Sequence, residues 1–232
     1  MKNYLIIGGS KGIGLATSQF LLDQGVRVFS TYHETPITLS HNHLTSFQLN
    51  VMDDTLDFSQ VPDELHGLVY CPGAINLAPF ARLSLDSFRQ DYELQVVGAI
   101  KVIQAVLKKL QNTVQSSIVL FSSVAASSGF NFHTQVSTSK SALEGLAVAL
   151  AAELAPKVRV NVVAPSITHT PLAERFLNTE DKIQNNERRH PLNRIGDPSD
   201  IAKSVGFLLT DSSSWMTGQV IRPDGGISKI KM

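Results

Sequence analysis

The clearest chemistry in this chain lies near its start. Ile7-Gly8-Gly9-Ser10-Lys11-Gly12-Ile13-Gly14 follows a short apolar run and opens a stretch with helical spacing. Glycines spaced this way let the chain turn tightly, bring backbone close to a pyrophosphate and let a helix pack against the preceding strand. The free N–H groups at the start of that helix then face the phosphates. A glycine cluster alone is a common turn. Held between a first strand and a first helix, it points to the diphosphate of a dinucleotide. The single cysteine, Cys71, can neither close an internal disulfide nor build a zinc site alone, so no metal centre is expected.

The elements that must position this loop are legible as alternation. Tyr4-Leu5-Ile6-Ile7 reads as a buried strand and Ile13 to Leu22 as a helix. Val26 to Phe29, Phe47 to Val51, Leu68 to Tyr70, Ser117 to Phe121, Val158 to Val163 and Gln219 to Arg222 read as further strands. Helical patterns cover Leu85 to Leu110, Lys140 to Leu154 and Ile201 to Leu209. Strands separated by helices pair in parallel through right-handed crossovers. Their continuous apolar character fits a sheet covered on both faces. The expected fold is α/β, a doubly wound Rossmann-type three-layer arrangement around a seven-stranded parallel sheet. The connections after the second and third strands are short, so one or both helices there are expected to be abbreviated. The polar, charged stretch Thr168 to Arg194 breaks the rhythm, and an insertion of that length commonly forms a lid.

Composition narrows the function classes. The 232 residues suffice for one sizeable core and are short for two, so a single domain over 1–232 is expected. Hydrophobic residues at 43% and charged residues at 17% describe a folded domain, not a disordered one. Lys+Arg and Asp+Glu are 20 each, which gives no long-range attraction to nucleic acid or to an acidic membrane. The apolar run at the N-terminus is too short for a signal peptide or a membrane span. One cysteine and no leader lead to a cytoplasmic expectation.

The spacing Gly8-x-x-x-Gly12-x-Gly14 resembles the cofactor loop of the short-chain dehydrogenases/reductases, and the resemblance runs to the closing segment Trp215 to Gly226. It implies a bound nicotinamide dinucleotide. Members specific for NAD carry an acidic residue where this chain has Tyr32, while Lys11 matches the basic residue of members that prefer NADP. A 2′-phosphate needs a cation and donors, which Lys11, Thr31 and His33 can supply. NADP(H) is therefore expected over NAD(H), although Glu34 leaves NAD open. Asn50-Val51 matches the pair beside the adenine. Cys71-Pro72-Gly73-Ala74 replaces the family's Asn-Asn-Ala-Gly, keeping the small residue Gly73 near the ribose. Pro165-Ser166-Ile167-Thr168-His169-Thr170 resembles the Pro-Gly-x-x-x-Thr segment, which implies Pro165, Ile167 and Thr170 beside the nicotinamide amide and phosphate, with Ser166 in the place of a glycine.

The same resemblance assigns the reacting groups. Ser123 falls at the serine that orients the substrate oxygen, and Lys140 at the lysine that grips the nicotinamide ribose. The tyrosine that donates the proton is absent: counting from either Ser123 or Lys140 reaches Val136. Gln95 stands where the family has asparagine. Valine donates no proton, so either the chemistry is lost or another group supplies it. His133 lies one helical turn before Val136, and histidine is a residue type suited to general acid work, which makes it the candidate acid. A water held by Lys140 and Ser123 is the alternative. The expected partner is a small carbonyl or alcohol substrate, with the long helices from Leu85 and Lys140 building a homodimer or homotetramer.

Overall fold

The computed structural model describes residues 1–231. Seven strands form one parallel sheet in the order β3-β2-β1-β4-β5-β6-β7. They are β1 (Asn3–Ile7), β2 (Arg27–Tyr32), β3 (Leu44–Gln48), β4 (Gly67–Tyr70), β5 (Ser116–Phe121), β6 (Val158–Val163) and β7 (Val220–Ile221). The helices are α1 (Gly12–Asp23), α2 (Leu85–Tyr92), α3 (Gly98–Gln111), α4 (Thr134–Leu154), α5 (Glu180–Glu187) and α6 (Pro198–Leu209). The strand order reverses between β1 and β4. The crevice outside the carboxyl ends of those strands is where such sheets bind ligands.

Side chains alternate along each strand and so serve two cores. Leu5, Ile7, Leu68, Tyr70, Ile118 and Val160 face one layer with Ala99, Val102, Val106, Leu143 and Ala147 of α3 and α4. Tyr4, Ile6, Val69, Val119 and Val163 face the other with Leu21 and Leu22 of α1 and Val205 and Leu208 of α6. Between β2 and β3, and between β3 and β4, the described residues hold no helix.

Among the elements whose bounds differ from those expected, three bear on the site. β3 ends at Gln48, three residues before the expected boundary; Leu49 and Val51 are buried but lie in the loop, because they fill the core beside Phe58 and Tyr70. An apolar run reports burial, and burial does not require a strand. The helix expected from Leu85 to Leu110 is interrupted by a π-helical segment, Glu93–Val97, at the bottom of the crevice. Such insertions commonly accompany functional sites. Finally, α4 begins at Thr134 instead of Lys140. Its first turn is polar and therefore lacks an apolar period. It is held by Gln135, whose amide donates to the Ser87 carbonyl (3.0 Å), and by Ser137, whose hydroxyl donates to the Ala125 carbonyl (2.8 Å).

Candidate active site and dinucleotide cleft

A cavity of about 1180 Å³ opens over the carboxyl ends of the central strands. Its floor at one end is the glycine loop. Gly8 and Gly12 have positive φ (76° and 52°), and a Cβ on Gly14 would stand 2.3 Å from the Gly8 carbonyl oxygen. Gly8 and Gly9 donate to the Thr31 hydroxyl (3.1 Å) and carbonyl (2.8 Å), which fixes the loop on β2. Lys11 is the N-cap of α1 and makes no side-chain cap, so the first N–H groups of the helix face the cavity uncapped.

Of the residues singled out by sequence, the cavity brings together Gly8, Lys11, Gly12, Ile13, Gly14, Gly73, Ser123, His133, Val136, Lys140, Pro165, Ile167 and Thr170. It does not reach the remaining five. Thr31 is buried under the glycine loop with its oxygen bonded to Gly8, so it braces the loop where the sequence reading had it facing a phosphate. Ser10 lies outside the lining, and His33 is exposed beyond it. The Asn50 side chain closes a local turn, donating to Asp53 (2.7 Å) and accepting from the Met52 amide (3.1 Å). Val51 is core, packed against Gly98. Glu34 does line the cavity, near the loop that carries Lys11.

The middle of the cavity is built by β4, β5, α4 and the π segment. Lys140 lies on the buried face of α4, and its ammonium donates to the Phe121 carbonyl (3.0 Å). Burial drives its pKa down to about 8, partly opposed by the Asp91 carboxylate. Asp91 is itself buried. It accepts from the Ser139 hydroxyl (2.5 Å) and from the Gln95 amide (2.7 Å). That bond turns the Gln95 carbonyl oxygen toward Gly73 and Lys140, where it is fully buried and has no partner. A buried acceptor left unpaired is costly, and this one faces a cleft that can supply a donor. Ser123 accepts from the Ala125 amide (3.2 Å), which leaves its own proton free for the cavity. Burial pushes the Cys71 thiol up to about 12, so it stays protonated and is no nucleophile.

Val136 is buried on the cavity wall. His133 precedes the first turn of α4. Its Nδ1 is 2.7 Å from the Asn131 carbonyl, and its ring lies 5.4 Å from that of Phe130 at the cavity edge. The sequence reading missed His190. It is 2% exposed, lines the cavity, and holds its Nε2 2.8 Å from the Ser166 hydroxyl. The two lie 24 positions apart, and no local spacing signals the pairing.

The residues present fit a dinucleotide. The glycine cradle admits no side chain at Gly14, the helix start offers free N–H donors, and the Lys140 ammonium supplies a cation to the same cavity. Among the described residues no group of His, Cys, Asp and Glu side chains is arranged to hold a metal ion, and no helix is long and apolar enough to cross a membrane.

Comparison with known proteins agrees with this geometry. Residues 8–228 match the family profile described as enoyl-(acyl carrier protein) reductase. The chain is 29% identical to an L-rhamnose 1-dehydrogenase (NADP(+)) of Thermoplasma acidophilum, over 97% of this chain and 96% of that protein. It is 28% identical to the 3-oxoacyl-[acyl-carrier-protein] reductase MabA of Mycobacterium tuberculosis, over 97% and 92%. Among solved structures, the ligand-free aldohexose dehydrogenase of Thermoplasma acidophilum superposes with a TM-score of 0.91 at 26% identity, covering 100% of this chain and 96% of that one. ElxO with NADP bound superposes with a TM-score of 0.87 at 26% identity, covering 97% and 98%.

Proposed function

Because this chain belongs to the short-chain dehydrogenase/reductase family of oxidoreductases, we propose that it transfers a hydride between NADP(H) and a small carbonyl or alcohol, with a proton donor other than tyrosine. The observation that carries this reading is the convergence of the glycine loop, Lys140, Ser123 and the unpartnered Gln95 oxygen on one cavity. The dinucleotide, when bound, supplies or accepts the hydride.

The chain's own residues do the rest. The uncapped start of α1 and the glycine-loop amides hold the diphosphate. Lys140 grips the nicotinamide ribose. Pro165, Ile167 and Thr170 border the carboxamide, and the Ser123 hydroxyl donates to the substrate oxygen, stabilising the charge that develops there. Lys11 favours a 2′-phosphate, and Glu34 on the same side of the cavity opposes it; the balance of the two sets cofactor preference. The stretch 168–194, which includes α5 and borders the cavity, acts as the substrate lid of a single domain. Homodimers or homotetramers form through α3 and α4.

Val136 supports a second reading, a silent NADP(H)-binding protein. One experiment separates the two. Kd for NADPH and NADH is measured by nicotinamide fluorescence. Turnover is then followed with L-rhamnose and NADP+ and with an acetoacetyl thioester and NADPH, for the parent chain and for Val136→Tyr. The expected result is tighter binding of NADPH than NADH, by about tenfold, a preference that Lys11→Glu reverses, together with turnover by the parent. Binding with turnover only after Val136→Tyr establishes the silent reading, and no binding overturns both.

A further inference from the structure

Two histidines border the cavity, and they differ in kind. His133 sits at the edge, partly exposed, with no bond from its Nε2 to any residue lining the site. His190 is buried, and both of its nitrogens are committed. Nδ1 is 2.7 Å from the Asn186 carbonyl, which can only accept, so Nδ1 carries a proton. In the neutral ring Nε2 is then an acceptor, and the partner 2.8 Å away is the Ser166 hydroxyl. This is the constellation of a hydroxyl, a base and a group that orients the base. Asn186 lies in the last turn of α5, and the amide of His190 donates to the Glu187 carbonyl (2.9 Å), so the ring is fixed from its own segment.

Ser166 is placed beside the reacting groups by the sheet. β5 and β6 run in register from Ser116 opposite Val158 to Phe121 opposite Val163. Past their ends the Val124 amide donates to the Pro165 carbonyl (3.2 Å), which sets Ser123 and Ser166 side by side at the mouths of adjacent strands. Both line the cavity together with Lys140 and Val136. We propose that Ser166 is the catalytic residue that exchanges a proton with the substrate oxygen, and that His190 is the positioning residue that holds this proton and returns it through the Ser166 hydroxyl. The proposal rests on the oxidoreductase reading above.

The protons balance in both directions. In reduction, the carbonyl carbon gains hydride from NADPH, and the C=O π pair becomes an alkoxide lone pair. The alkoxide takes the proton of Ser166 Oγ while that oxygen takes the Nε2 proton of the His190 cation, which ends neutral. In oxidation, the alcohol proton passes to Ser166 Oγ as the serine proton passes to Nε2, and hydride leaves to NADP+. Exchange with water through the open cavity resets the ring after product release. The charged groups on the segments around His190 include Glu187, Arg188 and Arg189 just before it, Lys182 on α5, and Asp224 next to Gly225, which packs on the ring. Asp224 is held by the Gly226 and Ser228 amides and the Ser228 hydroxyl.

The test uses the full chain with the two probe substrates named above. Ser166→Ala, Ser166→Gly and His190→Gln are each expected to lower kcat by about 100-fold, with the NADPH Kd changed less than threefold. The Ser166→Ala/His190→Gln double variant should fall no further than the single variants, because the two act as one unit. Val136→Tyr added to His190→Gln should restore turnover, which separates loss of a proton from damage to the fold. The proposal is overturned if the single variants keep parental kcat, if His133→Ala alone abolishes turnover, or if the parent binds NADPH yet turns over neither probe. Failure to bind NADPH would instead remove the oxidoreductase reading itself, and it is visible before any turnover is measured.

Discussion

Lys140 is the residue on which most of the cleft's electrostatics turn. Burial holds its pKa at about 8 where an exposed lysine has 10.5. The ammonium is therefore present at neutral pH and is lost as pH rises through 8. Affinity for NADPH should fall across that interval, as measured by fluorescence titration between pH 6.5 and 9.5. Lys140→Met should bind weakly at every pH and flatten the curve. Asp91→Asn removes the negative charge that supports the ammonium, so the break should move to lower pH. Stability responds with the opposite sign. A lysine whose folded value lies below its unfolded one leaves the unfolded chain with more protons between about pH 8 and 10.5, so folding becomes more favourable as pH rises there. Denaturant titrations of the parent and Lys140→Met at two pH values would separate the two effects.

At the scale of elements, the loop into α1 and the start of α6 show two ways of beginning a helix. The start of α1 has no side-chain cap. The start of α6 is closed: Asp197 accepts from the Ser199 amide (2.8 Å), Asp200 accepts from the Asp197 amide (3.0 Å), and Pro198 occupies the first turn. Asp197→Ala should therefore cost about 1 kcal/mol of stability by denaturant unfolding and leave NADPH affinity unchanged. Gly14→Ala should do the reverse of that pattern in the cleft. Its methyl would drive into the Gly8 carbonyl, displace the cradle and weaken NADPH binding by more than tenfold. The π segment Glu93–Val97 belongs at this scale too, since it carries Gln95, whose oxygen lies against Gly73 under the crevice.

For the whole molecule, the exposed face of α4 is the feature left over from a single chain. Ser141, Gly145, Val148, Ala149 and Ala152 are exposed along it, and small side chains let another helix approach closely. If homo-oligomers form there, Val148→Asp should shift the mass in light scattering from an oligomer to a monomer. An unchanged mass would place the assembly surface elsewhere or make the chain monomeric. The sheet order has its own consequence. The reversal at β1 and β4 puts the glycine loop and the ends of β5 and β6 at one rim, so residues far apart in the chain share one cavity.

The alternation of strands and helices and the glycine-rich turn between the first strand and the first helix were legible in the chain as local patterns of apolar period and residue type. The assignments of Ser123, Lys140 and Val136 came from the family resemblance and not from any local pattern. Tertiary structure alone decided which polar groups meet. It turned Thr31 inward to brace the loop, left Asn50 closing a turn, sank Val51 into the core, and joined Ser166 to His190. A side chain's role at such a position depends on which face its backbone presents and on what a distant segment brings opposite it, and neither is encoded in the residues next to it.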